Sequence, residues 1–376
     1  MTENYTILVI NPGSTSDEIS LFKGMEEVFH KTVRYSAKAM EPYESQPVTA
    51  QFEFRSRLLM ETLEEENVDT KHLDAIIGRG GLLRPIPGGT YAVNEAVLRD
   101  LKSGEYGDHP SNLGGILAHT LASDLGIPAF IADPVVVDEM HDLARLSGMP
   151  ENPRVSIFHA LNQKRVARLA ARELGKKYNE VNLIVMHGGG GISIGAHKKG
   201  RVIDVNQALD GDGPYTPQRS GGVPGGGLLK MAFSGKYTLQ DLKLKMKGKG
   251  GLIAYLGTSD LMFLENYLDG KPVSQEDIDS LKPGVDKKFI ELCLQGMAYQ
   301  IAKDICAMGA VLHGDIDGIV LTGGIIYDQR IKPWIIERIE WMGKPIFCYP
   351  GGDEMASLRD AAIRALNGSA PAQIYN

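Results

Sequence analysis

The chain twice carries one local pattern: an apolar strand, a turn of small residues, and a second strand. The first copy is TILVI, NPGSTS and DEISLF, over residues 6–22. The second is NLIVM at 182–186, HGGGG at 187–191 and ISIGAHKKGRVIDV after it. The copies lie about half a chain apart and share few residues, so what repeats is pattern. This points to an internal duplication of one α/β unit, each copy with its own turn. A bend of Gly, Ser and Thr at a strand end presents backbone N–H groups and hydroxyls to an anion, most often a phosphate. A tight hairpin is the other reading. A third stretch, LTGGI at 321–325, also ends an apolar run in glycines.

The intervening sequence alternates strands and helices. LDAIIGRGG reads as a strand entering glycines, followed by a helix from about Ala92 to Leu101. Residues 112–126 read as a helix, and PAFIADP at 128–134 as a strand ending in Asp133. SGMPENP at 147–153 is turn-rich and a natural domain boundary. VSIFHALNQKRVARLAARELG reads as a helix with Ile157, Leu161, Val166, Leu169 and Leu174 on one side. Residues 285–312 form a long amphipathic stretch through Phe289, Leu292, Met297, Ile301, Ile305 and Met308. DGIVLTGGI and PIFCYP read as strands, and EMASLRDAAIRAL as a closing helix. Such alternation argues an α/β class with partly parallel sheets.

Composition narrows the chemistry. The chain has 376 residues, 43% hydrophobic and 23% charged, enough for two domains with real cores. Its net charge of −7 gives no footing for nucleic acid or an anionic membrane. An anionic substrate therefore depends on cations concentrated locally, which gives weight to arginines in Gly-rich loops. Cys293, Cys306 and Cys348 lie far apart without a CxxC, and read as core thiols. The N-terminus lacks a signal-peptide pattern and no apolar run reaches the ~20 residues of a membrane span, so a cytoplasmic location is expected. The sequence contains no GxxxxGK[ST], no GxGxxG and no HExxH. A nucleotide site here needs another architecture.

Two phosphate-gripping turns plus a third GG-type turn are what a nucleotide site split between two like domains needs. In this the sequence resembles the acetate and sugar kinase, heat-shock chaperone and actin superfamily. INPGSTS, GRGGLLRPIPGGTY, GDHPSNLGGILA, IADPV, IFHALNQKRVAR, HGGGGISIGAH, DGDGPYTPQRSGGVPGG and LTGGI together are similar to the acetate kinase family, within its butyrate and branched-chain acid branch. The resemblance runs nearly end to end. It implies two domains of a duplicated ribonuclease H-like (actin-like ATPase) fold, at about 1–152 and 153–354, with a helix from about 355 returning to the first domain. It also implies ATP with Mg2+, a cleft between the domains, and a homodimer or higher oligomer, for which the 285–312 helix is a candidate element. The implied reaction is transfer of the ATP γ-phosphoryl to a carboxylate, giving an acyl phosphate and ADP. The acids would be butyrate, isobutyrate or isovalerate, with acetate or propionate as the nearer alternatives. A non-transferring actin- or chaperone-like ATP-binding protein is the alternative from another class.

The same resemblance assigns residues. Asn11 would lie near phosphate and metal, and otherwise caps a turn. Ser14, Thr15 and Ser16 would form the first phosphate turn. His187, Gly188, Gly189, Gly190 and Gly191 would form the second, and Gly323, Gly324 and Ile325 the adenosine turn. Arg79 would bind the acid and the transferring phosphoryl, and His109 would lie near the acyl pocket. Asp133 would position a metal-bound water or the arginine, or else cap a helix. His159 would donate to the phosphoryl, or else be a satisfied core histidine on a helix. Arg219 is the counterpart of a second catalytic arginine, at a different spacing. Glu354 would hold magnesium, with Asp353 as the alternative; Glu354 also suits a helix first turn. Phe158 and Pro217 would wall the acyl pocket, and Gly81, where acetate kinases place valine, would leave room for a longer acid. Two features depart from the pattern. Asp17 and Glu18 follow the first turn and are expected to face solvent or help with metal. Gln163 stands where acetate kinases carry a second histidine.

Overall fold

The computed structural model describes residues 4–43 and 45–376. The chain divides into two compact units, one of residues 1–137 with 353–376, the other of residues 138–352.

Unit 1 contains strands β1 (Thr6–Pro12), β2 (Ser16–Lys23) and β3 (Glu26–Arg34), then helix α1 (Phe52–Glu65). Strands β4 (Ala75–Arg79) and β5 (Thr90–Ala92) follow, then helices α2 (Glu95–Ser103) and α3 (Asn112–Leu125), and strand β6 (Ala129–Ala132). Unit 2 holds helix α4 (Ala160–Glu173), strands β7 (Asn182–Gly188), β8 (Ile192–Lys198) and β9 (Arg201–Val205), and helix α5 (Lys287–Val311). Its last strands are β10 (Gly318–Gly323) and β11 (Ile346–Pro350). Helix α6 (Glu354–Leu366) belongs to unit 1, where it packs on β1 and β4.

The duplication is explicit in the sheets. Unit 1 has the order β3-β2-β1-β4-β6-β5, and unit 2 the order β9-β8-β7-β10-β11. Without the short edge strand β5 they match strand for strand. In each, three strands form an antiparallel meander, and two parallel neighbours extend the first of them. The central strands are buried almost throughout: Ile7 to Ile10 in β1, Leu183 to Met186 in β7. Continuous apolar runs are what strands covered on both faces require. The edge strand β3, EEVFHKTVR, is charged and largely exposed, which blunts it against pairing with other chains.

Local chemistry shifts several expected boundaries. Helix α2 starts at Glu95 and not near Ala92, because the Asn94 side chain caps it by accepting from Val97 N at 3.0 Å, while 90–92 pair as a strand. Helix α4 starts at Ala160; Ile157 and Phe158 precede it and His159 is the residue before its first turn. In α5 the buried stripe runs through Ile290, Cys293, Leu294 and Met297, so Phe289 and Leu292 face outward. The cysteines are all free, yet Cys348 is exposed on the edge strand β11 and is not a core thiol.

Two close approaches set where the sheets end. A Cβ on Gly78 of β4 would overlap the carbonyl oxygen of Gly114 on α3, and one on Gly114 would lie 2.5 Å from the Arg79 carbonyl oxygen. Helix and strand thus touch backbone to backbone where Arg79 leaves the sheet. In unit 2, Gly323 sits at φ +92° against the backbone of Gly188. Replacing Gly78 with Ala is expected to destabilise unit 1 by about 1–3 kcal/mol or more. Gly225→Ala, where nothing lies within 4 Å of the new methyl, should be near neutral. Urea unfolding of the two variants checks both.

Candidate active site

In unit 1 the end of β1, the start of β2, the end of β4 and the start of α6 bring four polar side chains together. Asn11 Nδ2 donates to Glu18 Oε2 and to Glu354 Oε2, each at 2.9 Å. Arg79 Nη1 donates to Glu354 Oε2 at 2.8 Å and to Asn11 Oδ1 at 3.3 Å. Arg79 and Glu354 are both partly open to solvent, which suits an ion pair that can exchange partners. The Asp353 carboxylate is engaged differently, capping α6 by accepting from Ala356 N at 3.1 Å. Among the described residues, no group of three or more His, Cys, Asp or Glu side chains could hold a metal by itself.

The first turn is a hairpin closed by Gly13 N donating to Ser16 O at 2.7 Å, with Ser14 and Thr15 exposed at its tip. Asp17, expected to face solvent or metal, is buried instead. Its carboxylate accepts from Arg55 Nη1, and Arg55 is completely buried on α1. The same guanidinium donates to Gly13 O at 2.9 Å and to Gln51 Oε1. Burial raises the Asp17 carboxyl above its ordinary value, and the adjoining guanidinium holds that rise in check. Repulsion between this acid and a phosphate is therefore cancelled from within. Glu18 is the carboxylate turned to the Asn11 cluster.

The GRGG loop is pinned by Asn112 at the start of α3. Its Oδ1 accepts from Leu82 N at 2.8 Å, and its Nδ2 donates to Gly107 O at 2.9 Å. Gly81 lies against this anchor: a Cβ there would be 2.5 Å from Asn112 Cα and 2.7 Å from Leu101 Cδ2. The side-chain space at position 81 is already filled by α2 and α3. Gly81 is small because the loop packs on them, and it opens no room for a longer acid. His109 is exposed, with Nδ1 2.9 Å from Ser111 Oγ. Asp133 is no helix cap. It is buried at φ +37°, and its carboxylate accepts from Gly89 N at 2.7 Å. A non-glycine residue in the left-handed region signals a conformation the surroundings impose.

In unit 2 the second turn joins β7 to β8 and closes through Gly189 N donating to Gly191 O at 2.9 Å. The Arg219 guanidinium fills the space beside Gly191 and donates to Ala208 O. Burial lowers this guanidinium from its ordinary value, without neutralising it near pH 7. Thr216 Oγ1 donates to Gly190 O at 2.7 Å, tying the TPQR loop to the turn. His187 and His159 stack, centroids 4.0 Å apart and planes at 17°. His187 Nδ1 lies 2.7 Å from Asn162 Oδ1, and His159 Nδ1 lies 2.8 Å from Ser193 Oγ. Phe158 and Pro217 are buried. The third turn stands at the end of β10, where Gly323 and Gly351 exchange backbone hydrogen bonds. The Ile325 side chain is buried in the core, so it offers a ligand only its backbone. Turns two and three thus hang from the C-terminal ends of the parallel strands β7 and β10, where α/β sheets bind ligands.

The sequence model of the Acetokinase family matches residues 154–346. A probable butyrate kinase from Elusimicrobium minutum is 52% identical over 363 residues, covering 96% of this chain and 97% of the other. Butyrate kinase 2 of Clostridium acetobutylicum is 46% identical over 371 residues, covering 99% of each. This chain belongs to the acetokinase family. Among solved structures, the acetate kinase of Porphyromonas gingivalis superposes with a TM-score of 0.73 at 18% identity, covering 96% of this chain and 100% of that one. A propionate kinase from Francisella tularensis gives 0.68 at 17% identity, covering 95% and 98%. The fold is the duplicated actin-like ATPase type.

Within this acetokinase frame, unit 1 gathers Asn11, Arg79 and Glu354, and unit 2 gathers His159, His187, Arg219 and the glycines 188–191. Sequence reasoning missed Arg55, Asn112 and Ser193. Arg55 had a signal: it is four residues before Leu59 and eight before Leu63, on the buried face of α1. Unit 2 also holds an unusual acid. Asp304 of α5 is pushed up to about 6 by burial, with Asp212 adding to the rise. The folded value exceeds the unfolded one, so charged Asp304 costs stability above pH ~6, and the cost fades toward pH ~4. Asp304→Asn should therefore raise the melting temperature at pH ~7.5 and bring little gain at pH ~4.5.

Proposed function

We propose that this chain is a butyrate kinase, moving the γ-phosphoryl of ATP to the carboxylate of butyrate or a branched short-chain acid. The products are an acyl phosphate and ADP. The observation that carries this reading is the 46–52% identity, across nearly the whole chain, to proteins named as butyrate kinases. The geometry supports it with arginines placed beside a carboxylate cluster in one unit and beside a phosphate-type turn in the other.

The nucleophile is a carboxylate already ionised near neutral pH, so no general base is required. Phosphoryl transfer then depends on positioning and on cations set around the equatorial oxygens. Arg79 binds the acceptor carboxylate and the phosphoryl, exchanging its Glu354 partner for them. Arg219, held charged over Gly191, stabilises the phosphoryl oxygens, and His159 donates to them. Asp133 holds the loop that follows Arg79 through Gly89. Ser14, Thr15 and Ser16, with the glycines 188–191, cradle phosphates by backbone N–H groups, and residues 323–325 receive the adenosine. His109, Phe158 and Pro217 border the acid. Hard oxygen donors from one or two carboxylates suit Mg2+, which leaves its remaining positions to phosphates and water. Glu354 and Glu18, with Asn11 Oδ1, would hold it, and it would neutralise phosphate charge.

Since Gly81 opens no pocket, acid length is the point at which acetate or propionate competes. A homodimer or larger assembly belongs to the same reading, supported by the outward Phe289 and Leu292 of α5. Among the described residues no helix is long and apolar enough to cross a membrane.

Acyl phosphate trapped with hydroxylamine, from Mg–ATP and acetate, propionate, butyrate, isobutyrate or isovalerate, tests the proposal. The rate should rise toward the four- and five-carbon acids. Equal or faster use of acetate moves the chain to the acetate kinase reading, and no product with any acid refutes transfer. Arg79→Ala should lower turnover by about three orders of magnitude, and an effect within about threefold would remove Arg79 from the site.

A further inference from the structure

One buried polar chain in unit 2 ends at His159, and none of its other members is assigned to phosphate or acid. It runs from Tyr178 through His197, Gln163 and Ser193 to His159. Gln163, Ser193 and His197 are fully buried. The direction of every bond follows from one fixed acceptor. Gln163 Nε2 is 3.0 Å from the backbone carbonyl of Ser193, so the amide nitrogen must lie on that side. Its second proton goes to Ser193 Oγ at 2.8 Å. The amide oxygen then faces His197 Nε2 at 2.9 Å and accepts from it. His197 Nδ1, 2.7 Å from the Tyr178 hydroxyl, is left to accept. Burial holds His197 neutral, which agrees with one proton on its ring. A Cβ on Gly195 would stand 2.8 Å from Gln163 Oε1, so the strand is also kept bare where the chain passes.

At the other end, Ser193 Oγ meets three groups. Gln163 Nε2 and the backbone N of His159, the latter at 3.5 Å, are donors. The third is His159 Nδ1 at 2.8 Å. Among the described residues the serine proton has one acceptor within reach, that ring nitrogen, so Nδ1 is unprotonated. A proton on Nδ1 would strand the hydroxyl proton in the interior, at the cost of an unmade buried hydrogen bond.

We infer that Gln163 and Ser193 are positioning residues that hold neutral His159 in its Nε2–H tautomer, so that its outer nitrogen is a proton donor. This rests on the reading that His159 meets the transferring phosphoryl, whose oxygens accept hydrogen bonds. Gln163 serves because its amide is donor and acceptor at once, and so passes a fixed direction from a backbone carbonyl to the ring.

The test is a two-bond proton–nitrogen correlation on the full chain labelled with nitrogen-15 histidine, near neutral pH, with His159 assigned by its loss in His159→Gln. The parent should show His159 protonated at Nε2. Ser193→Ala should give mixed tautomers. Gln163→Glu should shift His159 toward Nδ1–H, because the carboxylate takes the serine proton and frees Oγ to accept. Turnover should fall about 10- to 100-fold, as for other partners that orient a histidine, with the KM for ATP within about threefold. Ser193→Thr, which keeps the hydroxyl, should restore the tautomer. His159 protonated at Nδ1 in the parent, or a tautomer unchanged in Ser193→Ala, overturns the inference. Ser193→Ala only removes an atom, so it decides the matter even if Gln163→Glu does not fold. Failure of the parent to make any acyl phosphate would refute the kinase reading, while the tautomer would still be decided by the spectrum.

Discussion

Backbone touching backbone at the strand ends is the constraint on which the rest of the structure depends. Where β4 ends, Gly78 and Gly114 allow no side chain between sheet and helix α3. Where β7 and β10 end, Gly188 and Gly323 do the same. Close-packed interiors tolerate no added methylene at such contacts. The turns that follow these strands, and the arginine that ends β4, inherit their positions from main-chain atoms. A phosphate-type turn works by its N–H groups, so its precision comes from the backbone that carries it.

Charge is managed by equally few groups. Arg55 and Asp17 form a fully internal pair behind the first turn, and the guanidinium also takes the Gly13 carbonyl. A buried ion pair stabilises little against an apolar substitute, yet losing one partner leaves an uncompensated charge. What this pair supplies is a fixed turn in front of a neutral interior. The Asn11 amide separates Glu18 from Glu354 by donating to both, so two acids share a site without touching.

Much of this was legible in the chain. Each apolar run that ends in small residues became a strand with a turn, and EMASLRDAAIRAL became helix α6 to the residue. The repeated pattern of strand, turn and strand became two sheets of one topology, because buried central strands must be continuously apolar. Boundaries set by single side chains were harder to read. VSIF extends the apolar spacing of α4, but the helix begins only after His159. The resemblance could single out Arg79 and Glu354, but not that they pair across 275 positions, since spacing carries no long-range contact. Gly81 shows the hazard in the opposite direction. A missing side chain looks like space in a sequence, whereas in the fold it marks a place already taken.

Unit 1 is assembled from two stretches separated by the whole of unit 2. Unit 2 is continuous, so a chain made from its N-terminus can complete that unit first. Unit 1 must wait, because the helix that packs on both β1 and β4 has yet to be made. Glu354 joins Asn11 and Arg79 only after residues beyond 353 have been made. A ribosome-bound fragment therefore has no finished acidic pole in its first unit. The fold delays assembly of that pole until unit 2 has been made and the chain has passed residue 353, and a chain cut short before Glu354 leaves Arg79 without its carboxylate.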